Sequence, residues 1–139
     1  MSKKRLRKGI PRIYEAGMAC VGLVLTAPLL AFFAVMIKLN SQGPIIFRQK
    51  RVGEKGKPFT LFKLRTMAVS RKGSMITAAD DNRVTSIGKV LRKYKIDELP
   101  ELWNVIRGDM SFVGPRPEVP DFVDLSDPLW IEVLDHRPG

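Results

Sequence analysis

Residues 18–37 carry no charged side chain over 20 positions. A helix rises about 1.5 Å per residue, so this run would be about 30 Å long, the thickness of a bilayer's hydrocarbon core. The pattern predicts a membrane helix. Asn40-Ser41-Gln42-Gly43-Pro44 is a turn cluster that ends it. Two runs of mixed apolar and basic residues follow, 45–52 and 59–66, around the breaker Gly53-Glu54-Lys55-Gly56-Lys57-Pro58. They predict a β-hairpin. Residues 67–83 are polar and without period, which predicts a long loop. Beyond it, Ile87, Val90, Leu91 and Tyr94 recur at helical spacing, with Ser86 as the N-cap. A second helix is expected over 97–107. Pro100 suits its first turn, Leu99, Leu102, Val105 and Ile106 form its apolar face, and Gly108 is its stop. Gly114-Pro115-Arg116-Pro117 reads as a rigid turn presenting one arginine. No internal repeat is visible.

The pattern therefore predicts an α+β chain in two parts. Residues 1–39 form a basic start and a membrane-embedded helix, and residues 40–139 a small, mainly helical domain with a short β-hairpin. Charge bears on how the helix sits. Lys3, Lys4, Arg5, Arg7, Lys8 and Arg12 precede it, and Lys38, Arg48, Lys50, Arg51, Lys55 and Lys57 follow. Both flanks favour the cytoplasm, and one straight span cannot satisfy both. Pro28, near the middle, removes a helical N–H and pushes on the carbonyl four residues back. A kink there can return the chain to the face it entered, with Thr26 helping to satisfy a freed carbonyl. A bent spanning helix stays open on charge alone. A cleaved signal peptide does not fit: the apolar run is too long, and residues 36–40 make a poor cleavage site.

The totals narrow the chemistry only partly. The chain has 139 residues, with 24 Lys and Arg against 14 Asp and Glu, a net charge of +10. Such a surface seeks anions: nucleic acid, lipid head groups or phosphate-bearing substrates. Candidate stacking aromatics are few and no nucleic-acid motif is present, which argues against nucleic acid. Cys20 is the one cysteine and His136 the one histidine, so an intrachain disulfide and a histidine- or cysteine-built zinc site are excluded. There is no Walker A pattern and no GxGxxG.

Asp97-Glu98 is the main candidate for chemistry. Arg92, Lys93 and Lys95 precede it. One carboxylate can attack phosphorus. The other can hold Mg²⁺, which binds through one or two carboxylates plus substrate phosphates. Ordinary helix capping by the same pair is the plainer reading of the spacing. Arg116 can clamp a phosphate or nucleotide with its planar fork. Lys63 and Arg65, at the hairpin's end, can meet phosphate or lipid head groups.

Three stretches go further. SQGPIIFRQKRVGEKGKPFTLFKLRTM, KVLRKYKIDELPELWNVIRGDMSFVGPRPE and the terminal HRPG resemble the bacterial initiating sugar transferases, the small monotopic phosphoglycosyl transferases. The resemblance runs over nearly the whole chain. It implies transfer of a sugar 1-phosphate from a UDP-sugar to polyprenyl (undecaprenyl) phosphate, with release of UMP, at the cytoplasmic face of the bacterial inner membrane. It makes Asp97 the nucleophile, forming an aspartyl-phosphosugar intermediate, and Glu98 the Mg²⁺ ligand. Arg92 becomes a phosphate ligand, and Arg116 lies near the nucleotide. It implies a re-entrant helix broken at Pro28, and helices that share a lipid environment admit a homodimer. The sequence departs from the family pattern in having Ala27 before the membrane proline, where Ser is usual. It also stops at Arg137-Pro138-Gly139, where family members usually continue, so it reads as a C-terminally shortened form.

Overall fold

The computed structural model describes residues 10–69 and 82–139. Its helices and strands run α1 (Arg12–Asn40), β1 (Ile46–Val52), β2 (Pro58–Leu64), α2 (Ser86–Lys93), α3 (Glu101–Arg107) and α4 (Pro128–Leu134). Single 3₁₀ turns lie at Glu54–Gly56, Ile96–Glu98 and Pro120–Phe122. The mixture of helix and strand is the expected one. The expected loop over residues 67–83 falls mostly outside the described residues. Its two described ends meet in a bridge between Met67 and Val84.

α1 passes through Pro28 as one element of 29 residues. It is long and apolar enough to cross a membrane. The Thr26 hydroxyl donates to the Gly22 carbonyl at 2.7 Å. The carbonyl four residues before Pro28 belongs to Val24, so Thr26 does not replace the bond that the proline removes. Threonine back-bonding and a proline both bend a helix.

One face of α1 is bare. Tyr14, Met18, Val21, Leu25, Phe32, Val35 and Leu39 are exposed. Exposed Pro28 completes a series that steps alternately by four and three residues, the track of a single helix stripe. The opposite face packs on the rest of the chain along both halves of the helix. Ala19 joins Leu61, Val105 and Met110 in one core cluster, with Phe59, Leu102 and Ile106 against it. Ile37 joins Leu64 and Leu91 in a second, with Leu30 and Phe33 of α1 beside it.

Polar ties fix both ends. At the start of α1, Arg12 donates to the Val105 carbonyl at 2.7 Å and the Ile106 carbonyl at 3.0 Å, covering the open end of α3. Gly108, the expected stop of that helix, adopts φ 94°. A side chain there would run into the Arg12 guanidinium. Glu15 is 3% exposed. It accepts a hydrogen bond from the Ser111 hydroxyl and pairs with Arg137 at 3.3 Å. At the far end, Arg65 Nη2 donates to the Ser41 carbonyl at 2.7 Å and the Ser41 hydroxyl at 2.9 Å.

β1 and β2 pair antiparallel in the expected hairpin, from Ile46 opposite Leu64 to Val52 opposite Pro58. Lys55 turns the loop at φ 57°. Asn104, fully buried on α3, accepts from Phe62 N at 3.2 Å and donates to the Thr60 carbonyl at 2.7 Å. These two bonds lock α3 across β2. α4 escaped the sequence reading. Its signal is Asp127-Pro128, an N-cap followed by proline at the first helical position, and Asp127 does accept from Leu129 N at 2.9 Å.

Removing Glu15 leaves the Arg137 guanidinium and the Ser111 hydroxyl without their buried acceptor. Glu15→Ala is expected to destabilise the protein by about 3 kcal/mol, the usual cost of breaking a buried charged pair. Chemical denaturation in detergent, followed by circular dichroism, measures it.

Candidate active site

The site is built where α2 ends and α3 begins, over the last residues of β2. α2 begins one residue earlier in its capping than the sequence suggests. Thr85, not Ser86, is the N-cap, its hydroxyl accepting from Gly88 N at 2.9 Å. Gly88 lies so close to the Thr66 carbonyl that any side chain would collide with it. This contact sets α2 against the end of β2. Arg92, one turn on, then donates through Nε to the Thr66 hydroxyl at 2.9 Å.

After α2 the backbone turns sharply. Lys95 takes φ 58°, a left-handed conformation, and the short 3₁₀ turn Ile96–Glu98 follows. The expected helix over 97–107 therefore starts late, at Glu101, with Pro100 just before it. Asp97 and Glu98 precede the helix and neither caps it. The plainer reading of the pair is thus not what the structure contains.

Asp97 is 8% exposed, and its Oδ1 is buried with no hydrogen-bond partner. Burial pushes its carboxyl pKa up, and the charge of Glu98 adds to the rise. Lys63, the residue's own backbone N–H and Arg92 pull the other way. Lys63 Nζ lies 3.3 Å from Glu98 Oε1 and 3.1 Å from Glu101 Oε1. Burial also raises the Glu101 pKa, against the pull of Lys63. Arg116 lies close enough to lower it too. The structure thus gathers Lys63, Arg92, Asp97 and Glu98 into one electrostatic group, with Arg116 at its edge.

Arg65 is placed elsewhere. It is 5% exposed and turned toward Ser41 at the end of α1, with Nε and Nη1 buried and unpartnered. Its neighbour Thr66, rather than Arg65, reaches the site through Arg92. The sequence reading missed two residues. Glu101 follows Asp97 by four and Glu98 by three, a spacing that places side chains on one face of a helical turn. Arg51 donates to the Pro117 carbonyl at 2.9 Å and to Gln49 Oε1 at 2.6 Å, holding the Arg116 turn in place. Burial lowers its pKa. A basic residue in a strand facing a Pro-Arg-Pro turn carries no local signal.

A divalent cation fits this group. An unpaired buried carboxylate oxygen lies beside a partly exposed Glu98 whose partner is a lysine on a flexible stem. Among the described residues no three His, Cys, Asp or Glu side chains form a metal cage.

Comparison with known proteins fixes the family. The model of the bacterial sugar transferase family matches residues 6–139. This chain belongs to that family. It is 46% identical over 126 residues to the UDP-N-acetylgalactosamine-undecaprenyl-phosphate N-acetylgalactosaminephosphotransferase of Aeromonas hydrophila, covering 87% of this chain and 30% of that protein. It is 44% identical over 133 residues to the UDP-glucose:undecaprenyl-phosphate glucose-1-phosphate transferase of Caulobacter vibrioides, covering 92% of this chain and 50% of that one. An Escherichia coli (strain K12) protein of the same name is 44% identical over 110 residues, covering 78% of this chain and 24% of its own length. The chain therefore spans half or less of these three relatives.

The Asp97 environment makes a stability prediction. A carboxyl whose pKa is raised by folding holds its proton more tightly in the folded state, so stability falls as pH rises from the ordinary carboxyl range through the raised value. Above it, Asp97 is a standing burden. Asp97→Asn is expected to raise the melting temperature at pH 7.5, and the gain is expected to vanish at pH values below the ordinary carboxyl range. Thermal unfolding across pH measures both.

Proposed function

We propose that this chain transfers a sugar 1-phosphate from a UDP-sugar to undecaprenyl phosphate, releasing UMP, at the cytoplasmic face of the bacterial membrane. One observation carries the reading: Asp97 presents a buried, unpaired carboxylate oxygen beside Lys63, Glu98 and Arg92. The donor and acceptor classes are those named for the relatives above.

The reaction has two displacements. A carboxylate oxygen of Asp97 bonds to the phosphorus that carries the sugar, and the bond from that phosphorus to the UMP oxygen breaks. An oxygen of undecaprenyl phosphate then attacks the same phosphorus, and the Asp97 carboxylate leaves. Splitting the transfer this way lets UMP depart before the lipid acceptor reacts. In this reading Arg92 binds phosphate oxygens and Arg116 the nucleotide. Glu98 is the residue to hold Mg²⁺, which when bound would offset the repulsion between a carboxylate nucleophile and a diphosphate.

The same reading makes α1 re-entrant, entering and leaving one leaflet. Both of its halves pack on one domain, through Arg12, Ala19 and Gly22 at one end and Leu30, Ile37 and Ser41 at the other. A straight span puts its ends about 30 Å apart on opposite faces of the bilayer. A domain on one face does not reach both. The bare stripe that includes Pro28 would then meet lipid, and Asp97 would lie near the lipid phosphates.

UMP release from a panel of UDP-sugars, with undecaprenyl phosphate and Mg²⁺ in detergent, tests the activity. Lipid-dependent release is expected. It should fall by on the order of 10³-fold or more in Asp97→Asn, as for loss of a covalent nucleophile. In Arg116→Ala the KM for the UDP-sugar should rise roughly tenfold, the scale of one charge-assisted contact. Absence of release from the folded protein with every sugar tried would remove the reading. Topology is tested with single cysteines at Ile10 and Gln42 in a Cys20→Ser background. A membrane-impermeant thiol reagent should label both from the cytoplasmic side alone, whereas labelling from opposite sides would establish a span.

A further inference from the structure

We propose that Lys63 is a built-in stand-in for the divalent cation, and that Glu101 is the carboxylate that keeps it when the cation takes Glu98. The inference rests on the metal role given to Glu98 above. Lys63 Nζ bridges Glu98 Oε1 at 3.3 Å and Glu101 Oε1 at 3.1 Å. An ammonium carries three donors, so it can hold both carboxylates at once. Mg²⁺ binds oxygen at about 2.0–2.1 Å. A cation bound to Glu98 would stand near the Lys63 ammonium, at a partly exposed position where like charges still repel. One cation must give way at Glu98. Lys63 is the one that can move without being stranded, because Glu101 already binds it.

The framework keeps Glu101 in reach. Asn104 ties α3 to β2 through Phe62 N and the Thr60 carbonyl. Glu101 lies one turn earlier on the same helix face, and Lys63 follows Phe62 on the same strand. The strand that carries Lys63 and the helix that carries Glu101 are thus tied together through the Asn104 side chain, while Glu98 sits on a separate 3₁₀ turn. Glu101 is accordingly a positioning residue that acts through Lys63.

Direct Mn²⁺ binding to the full chain in detergent, read by electron paramagnetic resonance, tests the exchange. The forms are wild type, Lys63→Met, Lys63→Gln, Glu101→Gln and the Lys63→Met/Glu101→Gln double variant, each checked for fold by circular dichroism. Lys63→Met and Lys63→Gln should bind Mn²⁺ about tenfold tighter, the scale of one charge pair near a protein surface. Glu101→Gln should bind several-fold more weakly, because Lys63 then stays on Glu98. In the double variant the loss should disappear, since Glu101 has no lysine left to hold. Unchanged or weaker binding in the two lysine variants would overturn the proposal. So would an equal loss from Glu101→Gln with and without Lys63, which would make Glu101 a direct contributor to the metal site. Failure of Mn²⁺ to bind any form would overturn it as well. Lipid-dependent UMP release by the wild type, measured alongside, would leave the transferase reading standing in each of those cases.

Discussion

The ties at the two ends of α1 govern the rest of the structure. Arg12 and Glu15 secure its start, Arg65 secures its end, and apolar contacts join both halves to the domain between them. An apolar helix held in this way cannot separate from the domain, so on the proposed membrane reading helix and domain reach the lipid together. Two of these anchors, Glu15 and Arg65, are buried, so each needs its polar partners. At the start those are the Val105 and Ile106 carbonyls, the Ser111 hydroxyl and Arg137, and at the far end Arg65 reaches the Ser41 carbonyl and hydroxyl. The bare stripe of α1 has no such partners and is simply apolar.

The same packing places the chemistry. Leu64 and Leu91 meet Ile37 of α1. β2 and α2 are thus fixed against the helix, and Thr66, two residues past the end of β2, bonds to Arg92, the residue after Leu91. The turn after α2 then delivers Asp97 into a poorly solvated position. Burial of an unpaired carboxylate opposes folding. Lys63 and Arg92 offset part of that cost, and the well-packed elements around them carry the remainder. A nucleophile kept partly desolvated, yet flanked by cations, suits attack on an anionic diphosphate. A carboxylate satisfied by helix capping would be less available.

Much of this was legible in the sequence because the signals are local. The uncharged run gave α1, the breaker between β-rich runs gave the hairpin, and the spacing from Ile87 to Tyr94 gave α2. Gly108 marked the end of α3 correctly. The start of α3 was misplaced because Asp97-Glu98 resembles a helix start, whereas the left-handed Lys95 diverts the chain into a 3₁₀ turn first. Long-range roles were not legible. Nothing in the sequence around Arg65 shows that it turns back to Ser41 rather than toward phosphate. The partnership of Glu15 with Arg137 crosses most of the chain. Glu101 gained meaning only when the fold brought Lys63 to it. Asp97 and Glu98 were singled out from the sequence, but only the structure shows that neither caps a helix and that Asp97 keeps a buried oxygen without a hydrogen-bond partner.

The central claim is that Asp97 is the nucleophile. Mass spectrometry of the intact protein, quenched after mixing with UDP-sugar and Mg²⁺ without lipid acceptor, tests it most directly. The expected result is a mass increase equal to one sugar phosphate, located by digestion on the peptide that contains Asp97. The adduct should be lost on adding undecaprenyl phosphate. Lipid-dependent transfer with no adduct on Asp97, or with the adduct on another residue, would contradict it.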